Sequence, residues 1–145
     1  MTTQGLPHIV VDTSVVSYIY GAEPVAQPYL QSIAGHSPVI SFQTYEELLF
    51  GVLNRNCGQR RINELFRYVN AEYTVAGYDL NLAETCARLR AQSRRIGREL
   101  STADAWIAAT AVLLNCPLLS HDRDFGNLPG LEVIHYDSPA DDPLH

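Results

Sequence analysis

Lysine is missing from this chain of 145 residues, whose ten basic positions are all arginine. That absence counts against acidic-cleft chemistries that need a lysine, such as those of phosphoaspartate phosphatases and phospho-receiver domains. A long hydrophobic run is missing too. The longest nearly apolar stretch, residues 105–114, falls far short of the ~20 residues that cross a bilayer, so no membrane association is expected. The N-terminus has no basic region and Asp12 interrupts the first apolar run, which argues against a secretory signal. Cysteine is scarce. Cys57, Cys86 and Cys116 lie 29 and 30 residues apart, a spacing that matches neither a zinc knuckle nor a disulfide framework. They read as reduced, mostly buried small apolar residues of a cytoplasmic protein. Glycine-rich phosphate loops, internal repeats and low-complexity tracts are also absent.

The balance of 46% hydrophobic and 18% charged residues is that of a globular domain with one ordinary core. A single domain over residues 1–136 is expected, followed by a flexible tail over 137–145, which combines proline with aspartate. A net charge of −6 argues against bulk electrostatic binding of nucleic acid. Its distribution says more: Arg88, Arg90, Arg94, Arg95 and Arg98 fall within eleven residues and make one segment locally cationic.

Ile9, Val10 and Val11 form a β-branched run stopped by Asp12, which reads as a buried strand ending in a polar turn. Helical pieces are expected over residues 14–20 and 29–34, then a strand in SPVISF. Thr44 is expected to cap a helix whose apolar face uses Leu48, Leu49, Val52 and Leu53. A helix over residues 60–69 and a short strand in AEYTVAG follow. From Asp79 a longer helix lines up Leu82, Cys86, Leu89 and Ile96, with Gly97 as its stop. Ser101 to Asp104 opens a helix that is apolar almost all round and therefore central, with Trp106 in the core, ending at Asn115. PLLS and LEVIHY are the last strands, separated by the polar HDRDF turn. Strands alternating with helices imply an α/β fold with a mostly parallel central sheet flanked by helices.

Ligands of parallel sheets bind at the carboxyl ends of the strands. Asp12 follows the first strand, and Asp122 and Asp124 follow PLLS, so both groups open on one edge. Glu47 and Asp104 lie near the starts of helices that face the same edge, which brings four acidic positions, 12, 47, 104 and 122, to one cleft. Crowded carboxylates repel unless a cation intervenes. An all-oxygen set without His or Cys favours Mg²⁺ or Mn²⁺, either of which suits phosphodiester hydrolysis. The arginine-rich helix before Asp104 is suited to hold a polyanion; Arg94, Arg95 and Arg98, with Thr13 beside Asp12, are the candidate substrate contacts. His121, beside Asp122, is a further one. Each acid also has a structural role open to it: Asp104 in a capping box with Ser101, the pair Glu46 and Glu47 as charges on a helix N-terminus, and Asp12 as a turn residue.

The ordered stretches IVVDTSVV, TYEELLFG, GRELSTADAWIAATA and LLSHDRDF with LPGLEVI resemble the PIN-domain ribonucleases, specifically the VapC type of toxin in toxin–antitoxin systems. They run over residues 9–134, nearly the whole chain. The resemblance maps the family's metal-binding acids onto Asp12, Glu47, Asp104 and the HDRDF turn, with Asp122 preferred and Asp124 the alternative fourth ligand. It selects Glu47 over its neighbour Glu46 by the alignment on Thr44 and Leu48. It further implies a PIN-like fold, an Mg²⁺- or Mn²⁺-dependent endoribonuclease, an RNA substrate, homodimerisation, and neutralisation by a small VapB-like antitoxin. Two other readings compete. One is a catalytically silent PIN-like module that binds RNA or protein, and the other is a phosphoaspartate-type phosphatase, which needs an Asp where Ser14 stands.

Overall fold

The structure, a computed structural model, describes residues 5–137. Strand β1 (His8–Val11) turns Ile9 and Val11 to one face and Val10 to the other, and all three are fully buried. A strand apolar on both faces is stable only in the middle of a parallel sheet covered on both sides. β1 lies there, in a five-stranded sheet of order β3-β2-β1-β4-β5. The other strands are β2 (Ser37–Ser41), β3 (Thr74–Ala76), β4 (Leu118–Leu119) and β5 (Val133–Ile134). Every pairing is parallel, so the crossovers bring all the carboxyl ends to one edge.

Six α-helices cover the two faces among the described residues: α1 (Thr13–Tyr20), α2 (Gln27–Ile33), α3 (Phe42–Asn54), α4 (Gln59–Glu72), α5 (Leu80–Arg95) and α6 (Thr102–Leu113). On one face Val10, Val39 and Leu118 pack with Leu82, Cys86 and Leu89 of α5 and with Ile107, Ala108 and Ala111 of α6. On the other, Ile9, Val11, Ile40 and Leu119 pack with Val15 and Val16 of α1, Tyr29 of α2, and Leu65 and Val69 of α4. Each fully buried aliphatic side chain here contributes roughly 1.5–3 kcal/mol. The expected centrality of α6 holds, since residues Ala105 and Ile107 to Ala111 are all buried. Trp106 departs from the core reading, because it is only partly buried and packs against the margin of that core.

Other departures have local causes. Helix α3 starts at Phe42, earlier than expected: Ser41 ends β2 in an extended conformation and its Oγ accepts the Gln43 N–H at 3.1 Å, so Ser41 and not Thr44 is the cap. Leu53 is 60% exposed, outside the partly buried apolar stripe of Leu48, Leu49 and Val52 on α3. Ile96 is half exposed because α5 ends one residue before it. Gly97 stops that helix as expected, at φ +78°, a left-handed conformation that costs a glycine little. Only Cys86 is fully buried, and all three thiols are free. Of the tail expected over 137–145, residues 138–145 lie outside the described residues; Asp137 itself is bonded to Arg123 and to His135 Nε2.

Candidate metal centre

Asp12 occupies the step from β1 into α1, where it caps the helix: its Oδ1 accepts the Thr13 N–H at 2.8 Å. Its Oδ2 accepts the Ser120 hydroxyl at 2.7 Å, and the residue is only 5% exposed. Ser120 follows β4, the neighbour of β1, and its Oγ also accepts the Asp122 N–H at 3.0 Å. One buried hydroxyl thus ties the ends of two adjacent strands together and fixes two of the acids relative to each other. Nothing in the sequence spacing singles out Ser120, because its bond to Asp12 joins residues 108 positions apart.

Thr13 Oγ1 lies 2.9 Å from Thr44 Oγ1 and 3.2 Å from Glu47 Oε1. The Thr13 hydroxyl is the donor toward both oxygens, so its single proton is shared between Thr44 and Glu47. Thr13, a sequence-based candidate for substrate contact, therefore orients Glu47, and the fully buried Thr44 holds Thr13 in turn. Of the two adjacent glutamates on α3, Glu47 is half-buried toward this network and Glu46 is exposed.

Asp104 lies in the first turn of α6, where Ser101 Oγ accepts its backbone N–H at 3.1 Å, so the capping role is real. It does not exclude a second one. Carboxylate oxygens of Asp104, Asp122 and Asp124 all lie within 4.8 Å of one another. Asp122 caps the 3-10 turn at residues 123–125, with its Oδ1 accepting the Asp124 N–H at 2.9 Å. Asp104 is the hinge of the arrangement, because its charge is felt by Asp12 and Glu47 on one side and it feels Asp122 and Asp124 on the other.

All three of the more buried acids resist ionisation. Burial is the main cause at Asp12, which it pushes up from 3.8 to about 6, with the charges of Asp104 and Glu47 adding and the bonds from Ser120 and Thr13 opposing. Burial also raises Glu47, helped by Asp104 and Glu46. At Asp104 burial again leads, followed by repulsion from Asp122 and Asp124. Carboxylates crowded in this way, offering only oxygen donors, suit a hard divalent cation.

Arg94 and Arg95, in the last turn of α5, line a cavity of about 630 Å³ with Arg90, Glu99 and Leu100, and none of the acids of the centre borders it. Arg98 donates to the Gly126 carbonyl, tying the link between α5 and α6 to the turn after Asp122. His121 stacks on His135 with ring centroids 5.1 Å apart, and its Nδ1 lies 2.6 Å from the buried Tyr29 hydroxyl. Both histidines border a cavity of about 430 Å³ with Ser14, Tyr18, Asp122 and Arg123.

An all-parallel sheet with a carboxylate cluster at its strand-end edge defines an α/β protein whose crowded oxygen donors have the chemistry to suit a hard cation. The PIN domain matches residues 9–131, and the chain belongs to that family. It is 31% identical to the VapC ribonuclease Y4jK of Sinorhizobium fredii over 91% of this chain and 99% of that protein. With ribonuclease VapC1 of Haemophilus influenzae it shares 30% identity over 84% of this chain and 92% of the relative. Among solved structures, VapBC2 of Rickettsia felis bound to a promoter DNA fragment superposes with a TM-score of 0.76 at 18% identity, covering 90% of this chain and 99% of that one.

Proposed function

We propose that this protein is the ribonuclease toxin of a type II toxin–antitoxin pair, an endoribonuclease that hydrolyses RNA phosphodiester bonds with Mg²⁺ or Mn²⁺. The observation that carries this reading is the meeting of Asp104, Asp122 and Asp124 oxygens within 4.8 Å on the sheet edge that also holds the buried Asp12. The family of the chain and the names of its relatives support the same activity.

Asp12, Glu47, Asp104 and Asp122 would hold the cation, with Asp124 the alternative to Asp122. A bound hard cation supplies Lewis acidity toward a phosphoryl oxygen and lowers the pKa of water. The protein's own part is placement. Ser120 and the Thr13 amide fix both oxygens of Asp12, Thr13 aims Glu47, and the Ser101 cap holds Asp104 at the start of α6. Arg94 and Arg95 offer cationic charge toward the RNA backbone, with Arg98 bracing the turn that carries the fourth acid. In the net reaction a water oxygen becomes bonded to phosphorus, one P–O ester bond breaks, and the departing oxygen takes a proton.

The neighbouring solved structures are toxin–antitoxin complexes, which supports a small VapB-like antitoxin as partner. A homodimer and a cytoplasmic location complete the proposal; among the described residues no helix is long and apolar enough to cross a membrane. The deciding experiment is RNA cleavage in Mn²⁺ by the wild type and by Asp104→Asn. The variant should lose orders of magnitude in rate while still folding, and combining it with Glu47→Gln should cost little more. Near-wild-type cleavage by Asp104→Asn would remove Asp104 from the site. Intact RNA with every protein would favour the silent binding module.

A further inference from the structure

Three aromatic rings meet at the margin of the same sheet edge. Trp106 lies 5.5 Å from Phe42 and 5.6 Å from Tyr78, and Phe42 lies 6.2 Å from Tyr78, all edge to face. Phe42 and Trp106 are anchored against the core, whereas Tyr78 is 59% exposed. Their place follows from the topology. Phe42 comes directly after β2 and Tyr78 two residues after β3, and the register that pairs Ser41 with Ala76 brings these two strand ends side by side. Trp106 and Asp104 share the first turns of α6 but project from different sides of it, as do Phe42 and Glu47 on α3, so the triad flanks the acids and does not border them directly. β3 is two strands from β1, about 10 Å from the strand that ends at Asp12.

We infer that Phe42, Tyr78 and Trp106 form a platform on which a nucleobase of the RNA substrate stacks, flanking the acidic centre along the same sheet edge, with Tyr78 making the contact. The inference rests on the nuclease reading above and names how the substrate is positioned. With no cation bound the acidic centre repels a phosphate backbone, so the metal-free protein must draw its affinity for RNA from groups outside the centre. Stacking on an aromatic surface is indifferent to that charge and tolerant of base identity. Edge-to-face packing suits the purpose, since it leaves ring faces that parallel stacking within the triad would cover. Two of the rings are held by the core, so little ordering is required when a base arrives. Leu80, 77% exposed just beyond Tyr78, makes a second copy of the chain the competing occupant of this face.

Trp106 is the only tryptophan, so its fluorescence reports on the platform alone. The full chain is titrated, in EDTA to prevent cleavage, with a pool of random-sequence single-stranded oligoribonucleotides, with binding followed independently by anisotropy. Trp106 emission should change in step with binding. Tyr78→Ala should raise Kd about 5- to 150-fold, the worth of one stacked base, and Tyr78→Phe should restore it. In Mn²⁺ the same loss should fall on KM and leave kcat near the wild-type value. RNA bound without any change in Trp106 emission, or an unchanged Kd and KM in Tyr78→Ala, overturns the platform. So does a fall in sedimentation mass in Tyr78→Ala, which would assign the face to a second copy. If the wild type neither binds nor cleaves RNA, the nuclease reading itself fails and takes this inference with it.

Discussion

Asp12→Asn gives the sharpest test of the electrostatics, because Asp12 is the most deeply buried acid of the centre and its two oxygens have known partners. In the metal-free protein its carboxyl is pushed from 3.8 to about 6, mainly by burial. At 1.36 kcal/mol per pH unit, that span corresponds to about 3 kcal/mol. The sign follows from proton counts. Between about pH 4 and pH 6 the folded protein keeps a proton that the unfolded chain has released, so stability falls as pH rises through that window. The contribution is complete below the unfolded value and gone above the folded one. The amide that replaces the carboxyl cannot ionise, so the variant lacks this slope. Its absolute stability also reflects the Ser120 hydroxyl, which donates to a carboxylate in the wild type and faces an amide in the variant. The informative quantity is therefore the change in the difference between the two proteins. Urea unfolding in EDTA, from about pH 4 to pH 7.5, should show the variant gaining about 3 kcal/mol on the wild type across the window. Glu47 and Asp104 are raised as well, but they remain in both proteins. Stability curves that stay parallel over the whole range would refute the reasoning, since a carboxylate that ionises normally imposes no such difference.

Mn²⁺ should raise the melting temperature of the wild type, by an amount equivalent to about 2.7 kcal/mol at a free concentration 100 times Kd. Asp122→Asn should shrink that rise more than Asp124→Asn; the reverse order, read from melts with EDTA and with Mn²⁺, would make Asp124 the fourth ligand. Replacing Arg94 and Arg95 with Gln should weaken RNA binding and flatten the dependence of log Kd on log salt by about one unit for each phosphate no longer neutralised, measured without any antitoxin. An unchanged slope would return these arginines to a solvated helix face. Ser120→Ala removes the hydroxyl that serves both Asp12 and Asp122, and should cost about 1–3 kcal/mol in the metal-free protein by denaturant melts. A neutral result would mean that water replaces Ser120 and that the two strand ends are fixed by other means.

The parts of this protein legible in its sequence are those governed by local rules. A β-branched run stopped by an aspartate becomes a buried central strand with its acid at the carboxyl end, because side-chain alternation and the need to cover both faces leave no other place for it. Gly97 ends α5, and Ser101 caps α6 through the Asp104 amide, because both depend only on backbone geometry within a few residues. Strands separated by helices likewise made the parallel sheet, and with it the shared acidic edge, a consequence of chain order. What needed tertiary structure was every property set by distance between segments. Glu46 and Glu47 are equivalent in composition, and only the packing of α3 against α1 buries one of them beneath Thr13. Thr44 has the chemistry of a cap, yet Ser41 reaches the free N–H groups first and leaves Thr44 to brace the site. Neither Ser120 as the tie between two strand ends nor the upward push on Asp12 is written in any local motif. Both arise because the sheet sets β4 beside β1 and closes helices over them, and desolvation is a property of everything that surrounds a group rather than of its neighbours in the chain.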